Sequence, residues 1–124
     1  MRIRKFNESL ETIDMNYIDE CFVDIADNYQ YDSKNYKTSI YISVGMEDKY
    51  TTPFFSSISA EDMIEILEWK INIIREIRYC LDKVKIKYPD LLYIIDFKEH
   101  DNMDEGTGEI NIILQDNKNY GIKL

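Results

Sequence analysis

The chain has one histidine, four glycines, two prolines and two cysteines in 124 residues. Each scarcity excludes something. With a single histidine, His100, the histidine-rich metal centres and paired-histidine acid–base sites are ruled out by inventory. Four scattered glycines form neither a phosphate-cradling loop nor a dinucleotide fingerprint, and no nucleophile-elbow or zincin motif occurs. Cys21 and Cys80 lie far apart, so the paired spacings of structural zinc and dithiol redox sites are missing. Two reduced, buried thiols acting as small hydrophobes are expected, with a single disulfide as the alternative. No apolar run approaches the ~20 residues of a membrane-spanning helix, and none follows the basic Arg2, Arg4 and Lys5 as a signal peptide would require. A cytoplasmic protein is expected, or one exported by a route that leaves no N-terminal mark.

What is present is an acidic, tyrosine-rich chain with enough apolar residues for a core. Hydrophobic residues make up 44%, and 24 acids against 15 bases give a net charge of −9. Such a balance disfavours a nucleic-acid binder, which needs a basic face. Residues 1–58 carry 10 acids and 6 bases, residues 59–88 carry 6 of each, and residues 89–124 carry 8 and 3. The excess therefore sits outside the central segment.

One domain over residues 1–124 is expected, with strands within 12–55, a helix at about 60–87 and C-terminal strands within 91–124. In 12–27, alternation puts Cys21, Val23 and Ile25 on one side of a strand. Residues 27–35 read as a polar loop, and 36–45 as a half-buried strand with Ile40, Ile42 and Val44 inward. The first and second strands would then form a hairpin with a long tip. Tyr50–Phe55 reads as a third strand, placed at an edge by Pro53.

The helix carries the strongest local signal. Ser59 is a good N-cap, Glu61 and Asp62 lie where the macrodipole favours negative charge, and Pro89 ends the element. Met63, Ile66, Leu67, Ile73, Ile74, Ile77, Cys80, Leu81 and Val84 recur at spacings of three and four. Leu67, Ile74, Ile77 and Leu81 are taken as its core residues. Trp69, Ile64 and Ile71 widen the apolar band, which predicts a homodimer through the helix. Residues 91–98 and 109–115 follow as a hairpin, and 120–124 as a short last strand. This order gives an α+β fold: an antiparallel sheet of five or six strands with one long amphipathic helix packed across one face.

Between the last long strands lies an acidic loop with Glu99, Asp101, Asp104 and Glu105 around His100. Its spacing fails the calcium-loop pattern, since Met103 and Ile112 occupy two ligand positions. Asp24 and Asp96, on expected strands, are the carboxylates most expected to be partly buried. Tyr29 and Tyr31, in the polar loop, suit an interface because a tyrosine ring is large, amphipathic and poor in rotors. The partner-binding candidates are therefore Glu99, Asp101, Asp104, Glu105, Tyr29 and Tyr31. Neither catalytic residues nor a cofactor or metal is implied.

The sequence thus points to a small acidic protein that binds and inhibits a basic protein. Two forms fit: an immunity protein against a toxin, or a phage or mobile-element inhibitor of a defence nuclease or nucleic-acid-binding effector. A small-molecule or nucleotide-binding module is the alternative, and a small enzyme the third reading.

Overall fold

The computed structural model describes residues 10, 12–47, 50, 58–99 and 108–116. Two short helices, α1 (Met15–Cys21) and α2 (Val23–Asn28), precede strands β1 (Tyr31–Asn35) and β2 (Ser39–Met46). The long helix α3 (Ala60–Lys87) follows, and then strands β3 (Leu91–Glu99) and β4 (Gly108–Asp116). The fold is α+β, with α3 and an antiparallel sheet sharing one core, as expected from the order of elements. Among the described residues the sheet has four strands rather than five or six, in the order β1-β2-β4-β3.

The difference in strand number begins in 12–27, which is helical. Asp14 caps α1: its Oδ1 accepts from Asn16 N at 3.0 Å and Tyr17 N at 3.4 Å. Ile18, Cys21, Phe22 and Ile25 then recur at helical spacing and are all buried. Val23, expected inward, is 46% exposed. The backbone breaks step at Phe22, which separates α1 from α2. The expected polar loop contains β1, which pairs with β2 through a short turn at residues 36–38 rather than a long tip. Lys37 in that turn has φ 78°, a left-handed conformation supported by Asn35 Oδ1 accepting from Lys37 N at 2.7 Å. Of the strand expected at Tyr50–Phe55, Tyr50 is instead in a turn, its N–H donating to Glu47 O at 2.9 Å, and the rest lies outside the described residues, as does the strand expected at 120–124.

The helix has the expected bounds. Ser59 Oγ accepts from Asp62 N at 3.1 Å, and Tyr88, just before Pro89, leaves the helical region at φ −126°, ψ 72°. With 28 residues it is about 42 Å long at 1.5 Å per residue. It buries Ile66, Ile73, Ile77, Cys80, Leu81 and Val84. Ile77 and Leu81 are thus core residues, but Leu67 and Ile74 are not: they are 49% and 37% exposed. The buried face is rotated away from them because 73, 77 and 84, one or two whole turns apart, are the positions that share a core with the sheet.

The side of the sheet facing the helices is set by register. Ile42 pairs with Ile112 and Ile112 with Ile95, and Val44, Ile110 and Phe97 form the next apolar row. The α1 helix covers the β1 side, where Tyr31 Oη and Ser33 Oγ each donate to Asp19 Oδ1 at 2.7 Å. On the far side, Tyr41, Ile113 and Ile94 align across three strands, with Tyr41 and Ile94 partly exposed. Gly45 N donates to Gln30 O at 2.9 Å, and a Cβ at Gly45 would meet Gln30 Cβ at 3.1 Å, so the absent side chain permits this approach.

Candidate partner-binding surface

Residues 7–33 contain eight acids and no base. Folding concentrates that charge on α1, α2 and β1, where Asp14, Glu20, Asp24, Asp27 and Asp32 are exposed. The reason is local. Both helices turn Ile18, Cys21, Phe22 and Ile25 inward, so the acids between them face water. Asp24, expected to be partly buried on a strand, is therefore exposed on a helix, and Asp96 is exposed on β3.

The α2 helix ends at Tyr29, whose N–H donates to Ile25 O at 2.9 Å. There the chain meets the side of α3. The Tyr29 ring lies edge-on to Trp69, with centroids 6.3 Å apart, and Tyr50 stacks parallel on Trp69 at 4.6 Å and 7°. All three aromatics are half-buried. They form an aromatic island near the exposed carboxylates of Glu47 and Glu76. Partial burial pushes the Tyr29 hydroxyl above its ordinary pKa, and the carboxylates of Glu76 and Glu47 add to that shift.

Next to the island, α2 and α3 enclose a cleft of about 240 Å³ lined by Asp24, Ile25, Arg75, Glu76, Tyr79 and Cys80. Drug-sized ligands need roughly 300–1,000 Å³, so this space suits one inserted side chain. Its wall carries two acids and one base, and Tyr79 offers an exposed ring. A guanidinium entering it would find the Asp24 and Glu76 carboxylates for charge-assisted hydrogen bonds, beside a Tyr79 ring over which the Lys83 ammonium already lies at 4.7 Å.

Cys80 lines the cleft, and its burial disfavours the thiolate. Burial pushes its thiol up to about 11, against the opposing effect of the Lys83 ammonium. Cys21 is also buried, and both thiols are free. Among the described residues no cluster of histidine, cysteine and carboxylates is arranged to hold a metal ion. No described helix is long and apolar enough to cross a membrane.

The residues singled out from sequence fall in different settings. Tyr29 belongs to the aromatic island. Tyr31 is in β1, stacked at 6.0 Å on Phe22 and hydrogen-bonded to Asp19, so its ring is engaged in packing. Glu99 is the last residue of β3, while Asp101, Asp104 and Glu105 lie outside the described residues. Register places Glu99 opposite Gly108, and Gly108 opposite Met46, at the end of the sheet where Gln30 meets Gly45. Tyr29 and Glu99 thus mark opposite edges of one sheet end, three strand spacings or about 14 Å apart. Sequence reasoning missed Trp69 as a partner of Tyr29, because the residues are distant in the chain. It also missed the acids of α1 and α2, although their run without a base was there to read. No family model matches the chain, and no curated protein or solved structure matches it.

Proposed function

We propose that the protein is a small acidic inhibitor that binds a basic protein partner and blocks its functional surface. The observation that carries this reading is the pairing of charge and aromatics. Glu76 and Glu47 act on the Tyr29 hydroxyl of the Tyr29–Trp69–Tyr50 island, and Glu76 also lines, with Asp24, a cleft sized for one side chain. Protein interfaces draw their energy from a few desolvated aromatic and arginine anchors, and their speed and selectivity from complementary charge. An arginine of the partner enters the cleft, and the partner's apolar residues cover the island. The carboxylates occupy the place of the phosphates that a nuclease or nucleic-acid-binding effector would otherwise hold. An immunity protein against a toxin and a phage or mobile-element inhibitor of host defence both have this chemistry. In the sequence Glu99, Asp101, Asp104 and Glu105 lie between β3 and β4 and add to the acidic charge such a partner would meet.

Immobilised protein presented with the basic proteome of its host, followed by kinetics on the captured protein, tests the proposal. Asp24→Lys combined with Glu76→Lys should slow association tenfold or more and flatten its salt dependence, with the melting temperature unchanged. Replacing Glu99, Asp101, Asp104 and Glu105 by Asn or Gln should have a smaller effect in the same direction. A partner whose binding ignores both sets of charges would refute the reading.

A further inference from the structure

The side of α3 turned away from α2 carries a second apolar stripe that the fold leaves open. Ile64, Leu67, Ile71 and Ile74 are 57%, 49%, 48% and 37% exposed, and Arg78, also exposed, continues the series. Their spacings alternate three and four, the repeat by which one helix offers a continuous seam to another. Over these residues the seam runs about 21 Å. A lone exposed leucine is ordinary, but four branched aliphatic residues in one line are not.

The charges on α3 say what covers the stripe. Residues 60–69 carry Glu61, Asp62, Glu65 and Glu68 with no base. Residues 70–87 carry six bases against Glu76 and Asp82. One half of the helix is thus net −4 and the other net +4, and the seam crosses the boundary between them. A helix with this pattern complements itself when reversed.

We propose that α3 pairs antiparallel with α3 of a second copy of this chain, as a two-fold symmetric dimer. Ile71 packs on the partner's Ile74, and Leu67 lies against the aliphatic stem of the partner's Arg78. Both contacts occur twice because the interface is isologous. Glu68, flanking the seam, comes within reach of the partner's Arg75. A parallel pair would set Lys70 beside the partner's Arg75, like charge against like, and both acidic halves against each other. The antiparallel arrangement removes these repulsions. The inference does not rest on the inhibitor reading, since the seam lies on the opposite flank of α3 from the aromatic island.

Light scattering and sedimentation equilibrium on the full chain, from micromolar to near-millimolar concentration, provide the test. The expected limit is twice the 14.8 kDa chain mass. Ile71→Asp should weaken the dimer tenfold or more while leaving the circular dichroism spectrum unchanged, because Ile71 contributes nothing to the core. Glu68→Arg should also weaken it, and Glu68→Arg with Arg75→Glu should restore it. Direction is read by cross-linking. Leu67→Cys mixed with Arg78→Cys should give disulfide-linked heterodimers, while Leu67→Cys alone should give none. The native thiols are buried and do not compete. A monomer at every concentration overturns the dimer and leaves the stripe to a different protein. A dimer indifferent to Ile71→Asp overturns the seam, and efficient self-linking of Leu67→Cys overturns the antiparallel direction.

Discussion

Asp19 is half-buried between α1 and β1, and its Oδ1 receives hydroxyl hydrogen bonds from both Tyr31 and Ser33. These bonds fasten the first helix to the edge of the sheet. Tyr31→Phe keeps the ring on Phe22 but leaves the carboxylate with one fewer donor. It should lower stability by about 1.5–3 kcal/mol, the usual worth of a hydrogen bond to a charged group, as read by denaturant unfolding. The thiols make a different prediction. Burial raises the Cys80 pKa from 9.0 to about 11, so between those values the unfolded chain loses a proton that the folded chain retains. Stability from this source is complete below pH 9 and falls as pH rises toward 11. Cys21 shifts in the same direction by burial, and Tyr31 and Tyr29 extend the loss at higher pH. Unfolding midpoints across this range should decline, and Cys80→Ala should decline less steeply. Thiol reagents should label the native protein slowly and the denatured protein at once.

At the scale of elements, the long helix separates what its sequence specifies from what the fold decides. Its ends are legible because they depend on neighbours in the chain: the Ser59 hydroxyl capping Asp62 N, and Pro89 forcing Tyr88 out of the helix. Its buried face is not, because apolar residues lie on two sides. The set Ile66, Ile73, Ile77 and the set Ile64, Leu67, Ile71, Ile74 both satisfy helical spacing, and only the sheet selects the first. Ile73→Ala should therefore cost about 2–5 kcal/mol, as for other fully buried aliphatics, while Leu67→Ala should cost the monomer under about 1 kcal/mol. Equal losses from both would place the helix face elsewhere. Ser59→Ala should cost about 1 kcal/mol. The helix α1 was hidden by an alternation of apolar and acidic residues that also fits period 2; the decisive Asp14 cap lies just before it. Strand β1 was hidden for another reason. Its sequence, Tyr-Asp-Ser-Lys-Asn, has no aliphatic residue, and its inward side chains are held by hydrogen bonds from Tyr31 and Ser33 to Asp19 and from Asn35 Nδ2 to Leu10 O.

For the whole molecule, a net charge of −9 sets the long-range field. Duplex DNA should not be retained by this protein at any ionic strength, since like charges repel. DNA should instead compete with it for the basic partner, and the competition should weaken as salt rises. A gel-shift titration with the partner present and absent separates these outcomes. The candidate site was legible in its chemistry and only partly in its location. Acid excess and tyrosine enrichment were plain in composition. The meeting of Tyr29 with Trp69 and Tyr50 requires α2, α3 and the chain after β2 to converge, which no local pattern encodes.

The same helix has a consequence for how the chain reaches its fold. Strand β2 pairs with β4, Ser39 opposite Gln115 and Met46 opposite Gly108, so all of α3 and β3 lies between the two central strands. Closing so long a loop through a flexible chain is entropically slow. But α3 has an N-cap, acids in its first turn and Lys85 and Lys87 in its last, all aligned to oppose its macrodipole, so local interactions favour it ahead of the sheet. Once formed, it turns 28 residues of the loop into a rod and presents Ile73 and Ile77 as a template on which the β3–β4 hairpin and β2 assemble. This topology predicts helix first, hairpin next and the central β2–β4 pairing last, with φ-values highest in α3 and lowest across β2 and β4.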